Sequence, residues 1–212
     1  RDGGLPAAPK QVQLILSDLC NQNCNFCAYR MDGYTSNELF VGASDKAKYG
    51  TNNPVRVMPG PRAFALLDEC KMLGVLALQF TGGGEPTVHK QHVAIFQRAL
   101  DLGFACSLVS NGLAWSPELI ALLPRFAWVR VSLDAGTPET YARIRQTAAT
   151  NFGRVLLHVT QLAAEIRASR SDCVLGVGYV VTPDNWSEIR EATHLIREAG
   201  AAYVRLSAMF NP

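Results

Sequence analysis

Three cysteines fall within eight residues, in the run Cys20-Asn21-Gln22-Asn23-Cys24-Asn25-Phe26-Cys27. The spacing, C-x3-C-x2-C, lets three thiolates wrap one small inorganic centre, and soft thiolates suit an iron–sulfur cluster or zinc. A closed structural zinc site needs four ligands, and an ordinary iron–sulfur cluster needs four cysteines. No fourth Cys or His lies nearby in sequence. His89 and His92 can approach from a neighbouring strand end, but their spacing is not a ligand signature. An open fourth position points to a cluster that binds something else there. The competing readings are a zinc-stabilised binding module and a simple electron-transfer protein. Three idle buried cysteines fit poorly with the Asn and Gln between them.

Other residue types that can do chemistry sit in short polar runs. Gly82-Gly83-Gly84-Glu85-Pro86 lets the backbone approach a ligand closely, or simply makes a tight turn. Glu85 can offer a carboxylate to an ammonium group or fix the loop. Ser110-Asn111-Gly112 contains an Asn-Gly turn signal. Ser132 and Asp134 fall in Ser132-Leu133-Asp134-Ala135-Gly136, where Asp134 can also cap the turn. Arg143 and Arg145 each offer the bidentate fork that a carboxylate accepts. Gly176 and Gly178 weaken a strand unless something packs closely on them, so they leave room for a ligand or serve barrel packing. Ser207 and Met209 are further neighbours of such a site. Cys70, Cys106 and Cys173 lie singly in apolar runs and read as core. His158 and His194 read as surface or packing residues, and Trp115, Trp128 and Trp186 as packing residues.

These runs need elements to position them. The 212 residues are 48% hydrophobic, enough for one sizeable core. Strands are expected at 11–17, 75–80, 104–109, 126–133, 173–181 and 202–206. Helices are expected at 61–73, 91–102, 116–123, 152–167 and 186–199, with a short one opened by Thr137-Pro138-Glu139. Ser116 reads as an N-cap with Pro117 in the first helical position. Apolar strands alternating with amphipathic helices predict an α/β fold with a parallel sheet and right-handed crossovers. Every polar or Gly-rich run follows a strand, so all of them gather at the C-terminal edge of the sheet, in a barrel or in an open sheet.

With that order in place, the chain resembles the radical S-adenosylmethionine (radical SAM) superfamily. The motif C-x3-C-x-aromatic-C stands directly after the first strand, with Phe26 at the aromatic position. The resemblance spans roughly residues 11–210 and implies a partial (βα)6 TIM-like barrel. It implies a [4Fe-4S] cluster on Cys20, Cys24 and Cys27, whose open iron is chelated by the amino and carboxylate groups of S-adenosylmethionine. Reduction then splits the sulfonium to a 5′-deoxyadenosyl radical for hydrogen abstraction. The same resemblance places Gly82, Gly83, Gly84 and Glu85 on the methionyl amino group. It places Ser110, Asn111, Ser132 and Asp134 near the cofactor, and Arg145, in preference to Arg143, on the methionyl carboxylate. A reductant such as flavodoxin or ferredoxin is implied. The Ser-Leu-Asp-Ala-Gly run favours a peptide or protein substrate, although members acting on small molecules or in cofactor biosynthesis share it.

The net charge of +2 gives no argument for a nucleic-acid or membrane partner. No signal peptide or spanning apolar stretch is evident, so a soluble cytoplasmic protein is expected. Residues 1–10 read as an N-terminal extension, and 28–60 as an insertion that forms a lid or docking surface, or a surface loop. The chain opens without Met and stops at Asn211-Pro212, so it reads as a piece, or the ordered part, of something longer; the family's usual final helix and C-terminal extension are absent from it.

Overall fold

A computed structural model describes residues 9–30 and 57–209. The expectation of a lid over 28–60 therefore lies largely outside the described residues. The strands are β1 (Gln11–Ile15), β2 (Ala77–Thr81), β3 (Ala105–Ser110), β4 (Trp128–Ser132), β5 (Val174–Val181) and β6 (Tyr203–Ala208). The described helices are α1 (Gly60–Met72), α2 (His92–Asp101), α3 (Pro117–Leu122), α4 (Pro138–Arg145), α5 (Thr150–Ala168) and α6 (Ile189–Glu198). The strands form one sheet in chain order, each parallel to the next, and β1 is not paired with β6. The α/β reading and the parallel order stand.

One face of the sheet is apolar. Leu14, Leu78, Phe80, Cys106, Leu108, Val129, Val131, Leu175 and Val177 are buried with helix residues such as Leu67, Phe96, Leu119 and Val155. Phe80, Phe96 and Phe126 meet ring to ring at the centre, with Phe80 and Phe96 centroids 4.4 Å apart. Neighbouring helices pack on one another around this layer, which gives the outer ring of a barrel-like wall.

The other face is polar and forms the inner wall. Gln13 and Gln11 both reach Gln79 there, and Arg130 lies over the ring of Trp128 at 5.3 Å. The register sets Val109 beside Arg130, Arg130 beside Gly176, and Gly176 beside Tyr203. A Cβ on Gly176 would lie 2.1 Å from Cζ of Tyr203, so the glycine makes room for that ring. The expected ligand space at Gly176 is therefore filled by the protein itself.

Local signals explain most element ends. Ser116 Oγ accepts from Leu119 N and Thr137 Oγ1 from Thr140 N, each before a Pro in the first turn. Gly74 and Gly103 close α1 and α2 with φ of 77° and 79°, a conformation that costs an L side chain strain. The helix expected over 186–199 is divided into a short 3-10 turn, Trp186–Glu188, and α6. Glu188 is the reason. Its carboxylate accepts from Gly136 N, Thr137 N, Thr137 Oγ1 and Thr140 Oγ1, which pins the chain before α6 to the start of α4. Trp186 is 65% exposed rather than packed.

Candidate cofactor site

The cysteine loop leaves β1 and is held from two sides. On one side, Gly84 N donates to Ser17 O at 3.1 Å and Glu85 N to Leu19 O at 2.8 Å. On the other, Asn23 N donates to Arg145 O at 3.2 Å and Asn25 N to Ile144 O at 3.0 Å. The loop thus bridges the end of β2 and the last turn of α4. Cys20, Cys24 and Cys27 are in no disulfide among the described residues and are partly buried. All three line one cavity of about 410 Å³, shared with Phe26, Gly82, Gly83, Gly84, Glu85, Ser110, Asn111, Ser132, Asp134 and Arg145. The three cysteines and the residues that the resemblance sets around the cofactor thus line one cavity, whereas Gly176, Gly178, Ser207 and Met209 do not.

The glycine run is needed for a different reason from the expected one. A Cβ on Gly84 would sit 2.2 Å from Leu19 O, and one on Gly83 would sit 2.2 Å from Asp18 Oδ1. The close approach is to the cysteine loop itself. Glu85 is likewise occupied. It is buried, and Oε1 accepts from Thr87 N at 3.1 Å, Thr87 Oγ1 at 2.8 Å and Ser110 Oγ at 2.7 Å, while Oε2 accepts from Asn111 N at 2.7 Å. Of its two proposed tasks, fixing the loop is the one its hydrogen bonds serve. Asn111 Nδ2 donates to Asn21 Oδ1 at 2.6 Å and lies 3.8 Å from Cys20 Sγ. Its Oδ1 accepts from Leu113 N, so Asn111 both makes the turn and touches the cysteine loop.

Arg145 and Asp134 form a buried ion pair at the cavity wall. Asp134 stands in the left-handed region at φ 60°, and its Oδ1 accepts from Val180 N at 2.6 Å. Burial pushes its carboxyl above the ordinary range, against the pull of Arg145 and the Val180 N–H. Burial works against the Arg145 charge too, but Asp134 and Cys24 beside it keep the guanidinium charged. Arg145 Nη1 donates to Gln22 Oε1 at 3.0 Å and reaches Cys24 Sγ at 3.5 Å, and Cζ lies 5.8 Å from the Phe26 ring centre. Its Nε–H is buried and has no hydrogen-bond partner among the described residues. Arg143 turns away, donating to Thr140 Oγ1 and Asp184 O.

Sequence reasoning passed over Gln22 and Tyr141. Gln22 Nε2 donates to Tyr141 Oη at 2.6 Å, and the pair carries Arg145 to the cysteine loop. The signal was present as a Gln inside the cysteine run that is almost fully buried. His89 and His92 lie outside the cavity, bonded to Met58 O and His89 O. Ala208 lines the cavity, whereas Ser207 and Met209 do not. Burial raises Cys106 to about 12 and Cys173 to about 11, as suits core thiols.

The donor set fits a cluster with a cofactor beside it. Three cysteines line a cavity whose wall also carries the Arg145 cation, paired with Asp134. Among the described residues no three Cys, His, Asp or Glu side chains are gathered as for one metal ion. A cluster asks no such convergence, since each thiolate meets its own iron.

The chain belongs to the Radical SAM superfamily, which it matches over residues 14–196. It is 27% identical over 164 residues to an S-adenosylmethionine-dependent nucleotide dehydratase of Selenomonas ruminantium, covering 76% of this chain and 51% of that protein. It is 26% identical over 199 residues to an AdoMet-dependent heme synthase of Methanosarcina barkeri, covering 92% of this chain and 49% of that one. The chain spans about half the length of these curated relatives. Among solved structures, SuiB of Streptococcus suis superposes with a TM-score of 0.71 at 14% identity, over 97% of this chain and 41% of that chain. TYW1 with a lysine-pyruvate adduct bound superposes with a TM-score of 0.64 at 15% identity, over 95% and 65%. The six-stranded open sheet is thus the partial barrel of this family. No described helix is long and apolar enough to cross a membrane.

Proposed function

We propose that the chain carries a [4Fe-4S] cluster on Cys20, Cys24 and Cys27, binds S-adenosylmethionine at its open iron, and acts on a small-molecule substrate. The observation that carries this is the single cavity joining three thiols to the Asp134–Arg145 pair. When bound and reduced, the cluster supplies the electron that splits S-adenosylmethionine to methionine and a 5′-deoxyadenosyl radical, which takes hydrogen from the substrate.

The chain's own residues do the holding. Arg145, on the cavity wall, offers its guanidinium charge to the methionyl carboxylate while Asp134 and Gln22 fix its plane. Gly82, Gly83 and Gly84 offer backbone groups to the methionyl amino group, and Glu85 holds Ser110 and Asn111 against the same cavity. Ser132 stands on the wall for the nucleoside part. Flavodoxin or ferredoxin is the proposed reductant, and the cytoplasm its proposed place.

A peptide substrate is the second reading. It is favoured by the Ser132–Gly136 run and by the likeness to SuiB, solved with its precursor peptide SuiA, but that likeness at 14% identity is one of fold. The relatives at 26–27% identity are named for a nucleotide and for heme, which favours small molecules. Anaerobic reconstitution tests the core of the proposal. About four irons per chain and 5′-deoxyadenosine formation are expected, with both lost in Cys24→Ala. One colourless zinc per chain, or deoxyadenosine made by Cys24→Ala, sinks it.

A further inference from the structure

We propose that Arg130 and Arg205 form an oxyanion subsite on the inner wall, where a carboxylate or phosphate of the substrate docks beside the cofactor cavity. This rests on the radical SAM reading and names the chemistry of the substrate for that site. The placement follows from register. Arg130 is paired with Val109, which lines the cavity. Arg205 is paired with Gly178, and Gly178 with Ser132, which also lines it. Paired residues of parallel strands share a face, so both arginines stand on the cavity side of the sheet.

The strand between them is bare. Gly176 is covered by the Tyr203 ring, but at Gly178 the space is taken by the Arg130 side chain, whose Cδ lies 3.6 Å and Nε 3.8 Å from where a Cβ would be. Arg130 thus crosses β5 at the level of Arg205, and the two cations flank one glycine. Among the described residues neither is in an ion pair. Arg130 has the Trp128 ring on one side, with Cζ 5.3 Å from the ring centre. Burial first, and then the neighbouring Arg205 charge, works against its own charge.

Two neighbouring cations, Arg130 half-buried and Arg205 exposed, repel one another without a counter-charge among the described residues, and a bound anion relieves that repulsion. Packing alone does not call for it, since a neutral long side chain would cover Trp128 equally well. Guanidinium forks match the two parallel acceptors of a carboxylate or phosphate, and Tyr203 adds a hydroxyl to the same row.

Calorimetric titration of the full-length, cluster-loaded protein tests this with three probes: pyrophosphate, glutarate, and uncharged glutaramide. Saturable binding of pyrophosphate or glutarate is expected, without binding of glutaramide. Arg130→Gln and Arg205→Gln should each weaken it about tenfold or more, as loss of a charge-assisted bond does. Arg205 is exposed on an edge strand, so its variant keeps the test alive if Arg130→Gln fails to fold. Arg130→Lys, which keeps charge without the fork, should fall between wild type and Gln. The probe bound more tightly tells phosphate from carboxylate. Glutaramide binding as well as glutarate, unchanged binding in both Gln variants, or no binding of either anion overturns the subsite. If the same wild-type sample carries its cluster and cleaves S-adenosylmethionine, the subsite alone has failed. A sample without a cluster overturns the reading beneath it.

Discussion

Around the ends of β1, β2 and β3, polar groups are consumed by one another. Glu85 accepts four hydrogen bonds, Asn111 is spent on Asn21 and Leu113, and the glycines press backbone on backbone. Along the inner wall of β4 to β6, Arg130 and Arg205 have no carboxylate partner among the described residues, and β5 offers two glycines in place of side chains. The first region is fixed before any ligand arrives. The second is left with polar capacity unspent. Fixed geometry suits a cofactor that is the same in every turnover, and unspent capacity suits a substrate.

The comparison is broken most forcefully at Arg145, which ties the first region to α4. Arg145→Gln leaves Asp134 buried without its counter-charge, a loss of about 3–5 kcal/mol. Asp134 is already raised by burial, and losing Arg145 raises it further. A raised carboxyl favours the folded state below its pKa and the advantage is lost as pH rises through it. The deficit of Arg145→Gln against wild type should therefore be largest at neutral pH and shrink in acid. Urea unfolding across that range measures it, and a deficit that grows in acid would contradict the assignment.

Gly84→Ala comes next. A Cβ 2.2 Å from the Leu19 carbonyl must push the cysteine loop aside, at about 1–3 kcal/mol, with iron content falling in the same samples. Full iron content at wild-type stability would show the loop to be soft. Glu85→Gln turns an acceptor into a donor facing Ser110, Thr87 or the Asn111 N–H, and should lose about 1–2 kcal/mol in thermal or urea melts. The smallest effect is expected in the other region. A Gly178 Cβ meets Arg130 at an ordinary 3.6 Å, so Gly178→Ala should stay within about 0.5 kcal/mol of wild type. Gly176→Ala, by contrast, collides with the Tyr203 ring and should fall well below it.

The sequence made the cofactor region legible because its signals are local. Cys20, Cys24 and Cys27 sit on one loop, and Arg145 stands one helical turn after Tyr141. Ser116 and Thr137 announce their helices by type and position. What escaped depends on partners far along the chain. Gly84 needs to be glycine because of Leu19, Gly176 because of Tyr203, and the helix expected from residue 186 is broken because Glu188 serves α4. Those contacts exist only once the register of parallel strands is set, and single-strand patterns do not encode register between strands so distant. Arg130 and Arg205 were passed over for the same reason, being isolated basic residues until β5 brings them together.

The unjoined edges of the sheet have a bearing on how such a protein changes. β1 and β6 share no ladder, so no closed ring of hydrogen bonds sets the circumference. A slight change of twist at each of the five ladders would widen or narrow the trough without breaking a backbone bond. Girth becomes an adjustable dimension, while the cysteine loop, anchored across to α4, keeps its height. Lineages could fit the trough to bulkier or slimmer guests by substitutions on β5 and β6 and leave the cysteine loop untouched.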